Sequence, residues 1–304
     1  MISYYMPYFQ DGMIHSCDNL RLSFECFEHG LPSLIYYLNS IPEVQYYQSF
    51  KDYSYKHLFV FGMKGLSFSI GLSLNGNSKA DVYKGFVDVN PNKILGSVTF
   101  AGGFIRVEEA TPFNNSDDDA CFCFFLRRQL AALFGDIMRQ LKLCCLSASV
   151  KRFDFAVDVP FPRDEVQLLK DQRNYYLFSR SALDFTEYLG QADAGGRVKV
   201  YNKQIESELD YPLTRIEITC DSFDYQRFSS KWPKVYLKNL VDFENDSLTV
   251  KLLRRLPANE FQEYYQTLSR NTRKKYQGIL FETPFTVPEL AFQAVISVLK
   301  EFEL

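Results

Sequence analysis

Hydrophobic and polar positions alternate with period two over most of the first 220 residues, the spacing of strands that bury one face. In 19–27, Leu20, Leu22, Phe24 and Cys26 alternate with Arg21, Ser23 and Glu25. The pattern returns in two runs over 57–74, broken near Gly62 and Gly65, and again over 85–89 and 96–107. Asn75-Gly76 predicts a tight turn, and Gly102-Gly103 a turn or bulge. The first dozen residues predict an arm, and Gly30 and Pro32 open a short helix through Ile35 and Leu38 that Pro42 ends. The cleanest strand is 150–159, with Phe153, Phe155, Val157 and Val159 on one side and Arg152, Asp154, Ala156 and Asp158 on the other. Pro160 and Pro162 end it, and 164–171 predicts a helix. A short strand at 186–190 turns through Gly195-Gly196 into a strand running to Lys203, with Glu206 and Glu208 in a following turn or short helix. The last predicted strand, 213–220, sets Ile216, Ile218 and Cys220 against Arg215, Glu217 and Thr219.

Helical signals interrupt this series once and then replace it. Ser116 is a predicted N-cap, and Asp117, Asp118 and Asp119 suit the positive end of a helix dipole better than they suggest a metal site. The helix that follows, 121–146, is apolar almost all round its first half and is expected to be the central buried one. From Trp232 onward alternation gives way to helical spacing around 237–241, 248–256, 260–268 and 271–281, and from 286 with Leu290, Val295, Val298 and Leu299 as the apolar stripe. The expected fold is α+β: a mainly antiparallel sheet with packed helices, two strand-rich halves flanking a long helix as distant duplicates, and a C-terminal helical region. The boundary falls near Lys231, giving domains 1–231 and 232–304.

Composition narrows the class. The chain has 304 residues, 46% hydrophobic and 23% charged, as in a soluble globular protein. Its 28 Phe and 20 Tyr are mostly core, although exposed rings can stack on bases. A net charge of −3 excludes a surface coated for non-specific nucleic-acid binding, so any such site must be a local basic patch. Seven cysteines without a CxxC pair exclude a zinc ribbon and a thioredoxin-like motif, and predict reduced thiols in a cytoplasmic protein. Neither a signal peptide nor a membrane-spanning run is expected.

Against that background one segment stands out. In Arg197-Val198-Lys199-Val200-Tyr201-Asn202-Lys203, the residues Arg197, Lys199, Tyr201 and Lys203 share a face, and Val198 and Val200 take the other. Burying one face needs only the valines; a phenol among three cations suits attack on a phosphate. The neighbouring strands carry Asp154 and Asp158, and Arg215 and Glu217, on their polar faces. One such strand is ordinarily a solvated face; three in succession point to a site. Carboxylates without histidine favour Mg²⁺ or Mn²⁺, and the only histidines, His15, His29 and His57, lie outside the region. An ion held by Asp154, Glu206 and Glu217 would polarise a phosphodiester oxygen. Tyrosine ordinarily ionises near pH ~10, so Lys199, Lys203, Arg197 and the ion are needed to favour the phenolate. The product is a phosphotyrosyl–DNA link and a free hydroxyl. Tyr188, on a strand read as lacking cations on its face, is the rival nucleophile, and Tyr211 beside Pro212 is a turn residue. Farther on, Lys251, Arg254 and Arg255 lie at helical spacing, and Arg270, Asn271, Arg273, Lys274 and Lys275 cluster with Thr272 and Tyr276, groups that contact phosphates and base edges.

The ordered stretches Arg152-Phe153-Asp154-Phe155-Ala156-Val157-Asp158, Thr186-Glu187-Tyr188-Leu189-Gly190, Arg197 through Lys203 with Glu206, and Leu213-Thr214-Arg215-Ile216-Glu217 resemble the replication initiation factor family of rolling-circle plasmids and phages (the Rep_trans group). That family also takes in relaxases of some integrative conjugative elements. The resemblance covers 150–220 well and the rest more loosely. It implies a nicking-closing enzyme that cuts one strand at an origin and stays joined to the 5′ phosphate through Tyr201, leaving a 3′ hydroxyl to prime the host polymerase. It places Asp154, Glu206 and Glu217, with Asp158 as a fourth, at the family's acidic metal positions. It further implies a homodimer acting on origin DNA, duplex and nicked single strand, beside a host helicase. On this reading 1–231 is the catalytic domain and 232–304 the DNA-recognition region. The alternatives are a relaxase with the same chemistry, and a non-catalytic DNA-binding regulator on the same fold.

Overall fold

The computed structural model of the chain describes residues 8–10, 12–27, 30–42, 44–48, 57–63, 66–72, 82–94, 98–100, 104–106, 117–181, 184–192, 194–237, 244–256, 258–280 and 285–300. A short strand β1 (Tyr8–Gln10) leads into the long β2 (Met13–Phe27), then helix α1 (Leu31–Ser40) and strands β3 (Val44–Gln48), β4 (His57–Met63), β5 (Leu66–Leu72) and β6 (Val82–Val89). A helical turn α2 (Pro91–Ile94), a hairpin of β7 (Val98–Phe100) and β8 (Phe104–Arg106), and the long helix α3 (Asp117–Cys144) connect to β9 (Cys145–Val159). There follow β10 (Val166–Leu168), β11 (Tyr175–Ser179), β12 (Phe185–Leu189), β13 (Val198–Asn202), the one-turn helix α4 (Lys203–Glu206), β14 (Thr214–Cys220), α5 (Tyr225–Lys231) and β15 (Val235–Leu237). Helices α6 (Leu248–Arg255), α7 (Ala258–Thr267), α8 (Arg270–Leu280) and α9 (Glu289–Lys300) complete the described chain.

The α+β expectation holds. One antiparallel sheet runs in the order β11-β12-β13-β14-β9-β2-β6-β5-β4-β3, with β1 paired to β2. Its two halves meet at β2 and β9, each 15 residues long and paired antiparallel to one another. Each half traces the same path. A long central strand leads out to the edge strand, β3 or β11, and the chain then returns strand by strand until β6 or β14 pairs with the long strand again. The repeated path is what a duplication would leave.

Register puts both apolar faces on one side, since Leu20 stands opposite Phe153 and Cys17 opposite Phe155. Helices cover that side. In the first half, Leu130, Phe134, Ile137, Met138 and Leu141 of α3 recur at helical spacing and are buried, with Phe134 edge-on to Phe68 of β5 at 5.2 Å. In the second, Phe292 of α9 stacks on Phe228 of α5 at 4.4 Å, and both lie against Phe155. Each such buried ring stabilises by about 1.5–3 kcal/mol relative to exposure. Gly85 of β6 lies beneath the Phe24 ring and Gly71 of β5 beneath Phe86, so a side chain at either position would collide with an aromatic.

Some elements differ from expectation. The segment 164–171 is not a helix: a 3-10 turn (Arg163–Glu165) precedes β10, which pairs antiparallel with β15. Its Glu, Gln, Leu and Lys residues favour a helix locally, but Val166, Gln167 and Leu168 are all buried, and pairing with Val235–Leu237 decides the outcome. The strand β15 takes Leu237, the first residue of the helix predicted around 237–241, whose remainder lies outside the described residues, and β14 is therefore not the last strand. The edge strands β3 and β11 were not predicted. Of the segment 232–304, α9 packs in the main core, while α6, α7 and α8 gather Val250, Leu253, Phe261, Tyr265 and Leu280 with Tyr236 into a second, smaller core. The Asn75-Gly76 turn, Gly102-Gly103, Ser116 and the side chains of the first half of α3 lie outside the described residues.

Candidate active site

The face of the sheet opposite the helices carries polar side chains across β9, β14 and β13, and the antiparallel register decides which of them meet. Lys199 stands opposite Glu217 and Tyr201 opposite Arg215, while Arg215 stands opposite Asp158 and Thr219 opposite Asp154. Direct neighbours on one face lie about 4.5–5.5 Å apart at Cβ, and the side chains lock together. The Tyr201 hydroxyl donates to Glu217 Oε1 at 2.6 Å, and Lys199 Nζ donates to Glu217 Oε2 at 2.7 Å. Arg215 grips Asp158 through Nε at 2.5 Å and a terminal nitrogen at 2.7 Å, and its other terminal nitrogen reaches Asp18 at 2.6 Å. Thr219 donates to Asp154 at 2.8 Å. Beyond the strand, Asn202 caps α4 by accepting from the Ile205 amide, which fixes Lys203 in the first turn, paired with Glu206.

These groups are largely shielded from water, and their acidities shift accordingly. Burial raises the Tyr201 phenol well above its ordinary value; Arg215 pulls it down and Glu217 pushes it up further. Burial also raises Glu217 above its usual 4.5, reinforced by Asp18 and opposed by Lys199. For Lys199, burial alone would lower the pKa, yet the charge and hydrogen bond of Glu217, with Asp154 and Asp18, leave it raised. Lys203 moves the other way: burial and the Arg215 charge lower it from 10.5. The result is a phenol that does not ionise spontaneously, hydrogen-bonded to a carboxylate whose proton affinity is increased, with an ammonium nearby that releases its proton more readily.

The structure brings Tyr201, Lys199 and Glu217 into direct contact and sets Asp154 and Asp158 on the same face. Lys203 and Glu206 sit at its margin. Arg197 lies just before β13, where its guanidinium stacks over the Tyr188 ring at 5.0 Å. Tyr188, opposite Lys199 in register, therefore has two cations on its face, contrary to the sequence expectation. The four carboxylates do not form one ligand set in this arrangement. Both oxygens of Glu217 and both of Asp158 are engaged, Asp154 is bound by Thr219 and Glu206 by Lys203, and no group of three or more His, Cys, Asp or Glu is placed to hold a metal ion among the described residues. Asp154 and Glu217 do share a face, and Lys199 interacts electrostatically with both.

Asp18 escaped the sequence reading. It occupies a bulge in β2, between the paired residues Cys17 and Asn19, and accepts from Arg215 as well as from Asn90 and Asn92 at 3.4 Å. The signal was there in the spacing. Cys17 and Leu20 both face the core with two residues between them, which strict alternation does not allow. Among the basic helical residues, Arg270, Asn271, Lys274 and Lys275 of α8 and Arg255 of α6 are exposed, whereas Lys251 is half-buried. Arg273 is also half-buried and donates to Gln266 at 3.0 Å. Arg254 does not fit the expected DNA-contacting face: it is 1% exposed, with Nε on Asp246 at 3.0 Å, because α6 turns it into the second core.

No family model and no curated protein matches the chain. It is similar to a solved structure titled "Structure of Rolling Circle Replication Initiator Protein from Geobacillus stearothermophilus", at 14% identity over 88% of this chain and 97% of that one, with a TM-score of 0.38. Among the described residues no helix is long and apolar enough to cross a membrane.

Proposed function

We propose that this protein is a rolling-circle replication initiator that nicks and rejoins one DNA strand at an origin through Tyr201. The observation that carries the reading is the hydrogen bond from the Tyr201 hydroxyl to Glu217, whose second oxygen is held by Lys199. As Tyr201 Oη attacks the phosphorus, its proton passes to Glu217, whose raised pKa suits it to that role. The bond from phosphorus to the 3′ oxygen breaks, and Lys203, with its lowered pKa, supplies the proton that the departing oxygen takes up. A 5′-phosphotyrosyl link and a 3′ hydroxyl result. Reversal, with the 3′ hydroxyl attacking the link, rejoins the strand. Arg215, fixed by Asp158 and Asp18, and Lys199 keep positive charge beside the transferred phosphoryl group.

Mg²⁺ or Mn²⁺ belongs to this proposal on a reduced ligand set. Asp154, on the same face, is the carboxylate that would hold the ion, with Glu217 left to take the proton, and the ion would act as a Lewis acid on a phosphodiester oxygen. On the same reading 1–231 carries the chemistry and the exposed cations of α6 and α8 in 232–304 recognise the origin duplex. A homodimer, a host helicase and a host polymerase are the expected partners.

The test incubates the protein with a library of supercoiled plasmids and Mn²⁺, then looks for DNA-linked protein on denaturing gels. The wild type is expected to form the adduct and Tyr201→Phe to form none. An adduct that survives in Tyr201→Phe removes the assignment of the nucleophile; no adduct on any cognate origin removes the enzyme.

A further inference from the structure

The outer edge of the sheet presents aromatic rings on the face of the candidate site, and the chemistry at Tyr201 does not use them. In register, Tyr176 of β11 stands opposite Tyr188 of β12, which stands opposite Lys199 of β13. Phe178 stands opposite Thr186, which stands opposite Tyr201. Two interstrand spacings put the edge about 10 Å from the nucleophile's strand. Tyr176 is 60% exposed and Phe178 43%, on a strand whose wet face would cost less with polar residues. The Tyr176 and Tyr188 rings lie 5.8 Å apart. The Arg197 guanidinium covers Tyr188 at 5.0 Å, and its buried Nε has no hydrogen-bond partner among the described residues. Arg180 approaches the Phe178 ring at 5.6 Å.

Aromatic rings interleaved with cations on one open face match the two chemical features of an unpaired nucleic-acid strand, exposed base faces and a phosphate chain. A duplex matches them poorly, because its stacked bases hide those faces. A protein strand adding to the edge of β11 would use the backbone of that strand and leave the rings and Arg197 unexplained.

We propose that Tyr176 and Phe178, backed by Tyr188 and flanked by Arg197, form a stacking platform for unpaired bases of a DNA strand, and that the platform feeds that strand's next phosphate to Tyr201. The proposal rests on the nuclease reading for its last step only. Stacking on base faces is tolerant of sequence, so origin choice is left to the helical region while the platform holds the strand once it is open. Arg197 takes a phosphate between the stacked bases and the site.

The experiment measures binding of the full chain to a fluorescein-labelled oligothymidylate of about 12 nucleotides by anisotropy, in EDTA, over a range of salt. Both probed rings are exposed, so their replacement leaves the core intact. Tyr176→Ala and Phe178→Ala are each expected to weaken binding about 5- to 100-fold, and Tyr176→Trp to restore it. Arg197→Gln is expected to flatten the salt dependence by about 0.7 in slope, the value for one phosphate contact to a single strand. Binding within twofold of wild type in both ring variants overturns the platform. So does a wild type that does not bind the oligonucleotide, or a pair of ring variants that change only the sedimentation behaviour, which would make this face a protein interface. Strand cleavage is not needed for the readout. Ring-dependent binding without adduct formation sinks the nuclease reading alone, and adduct formation with ring-independent binding sinks the platform alone.

Discussion

Replacing Glu217 with glutamine keeps the shape of the side chain and removes its capacity to take a proton. In the folded protein Glu217 is 3% exposed and bonds both Tyr201 and Lys199, so no bulk water stands ready to substitute for it. Positioned general bases contribute about 10²–10⁴-fold, equivalent to about 2.7–5.4 kcal/mol in the barrier, and Glu217→Gln is expected to slow adduct formation by that factor. The pH profile makes the test specific. On the proposed mechanism adduct formation needs Glu217 ionised, and burial raises its pKa above 4.5, so the acidic limb of the single-turnover rate is expected above pH 4.5 in the wild type and should be lost in the glutamine variant. Stability has the matching sign. A pKa raised in the folded state means that the native protein binds the proton more tightly than the unfolded chain does. The stabilisation is therefore fully present below 4.5 and declines as pH rises through the folded value. Glu217→Gln should lack that slope in thermal melts across the same interval. The assay is adduct formation on a cleaved-site oligonucleotide, quenched in denaturant and resolved by gel. A variant within threefold of wild type, or one that keeps the acidic limb, would refute the assignment of Glu217 as base.

On the alkaline side, Lys203 must be protonated to act as the acid, and its lowered pKa places the descending limb below pH 10.5; Lys203→Arg should move that limb upward, read from the same rate profile. Asp154→Asn should raise the Mn²⁺ concentration needed for half-maximal adduct by at least about tenfold while leaving oligonucleotide binding in EDTA unchanged, since Asp154 is the ion's proposed ligand. Replacing Lys274 and Lys275 together should weaken duplex binding and lower the salt slope by about two, one for each phosphate left without its cation. Gly85→Ala pushes a methyl group into the Phe24 ring and should destabilise the fold by about 1–3 kcal/mol, measured by denaturant titration, with no change in the chemistry per folded molecule.

Period-two alternation was enough to find most of the sheet, because one face is buried and the other is wet. The pairing of Tyr201 with Glu217, however, depends on which strands lie side by side. Alternation says that both residues face the polar side, and only the register makes Lys199 the neighbour of Glu217 and Tyr201 that of Arg215. Propensity misled at 164–171, where burial against β15 outweighed a helical composition. Helical spacing placed Lys251, Arg254 and Arg255 in one element but could not tell which side the second core would claim, and it claimed Arg254. Asp18 was hidden by distance along the chain and by the bulge that exposes it.

That distance has a kinetic meaning. The bond from Arg215 to Asp18 spans 197 positions and ties β14 to β2 across the seam between the halves. Contacts so remote in sequence form only after large loops have closed, which slows folding. The first half alone would carry Asp18 without Arg215, and the second half alone would carry Tyr201 beside a guanidinium held at Asp158 alone. During refolding, the strand pairing within each half should therefore appear before strand-transfer competence does. On the proposed mechanism, activity would come late, when β2 docks on β9, rather than when the strand bearing Tyr201 is made.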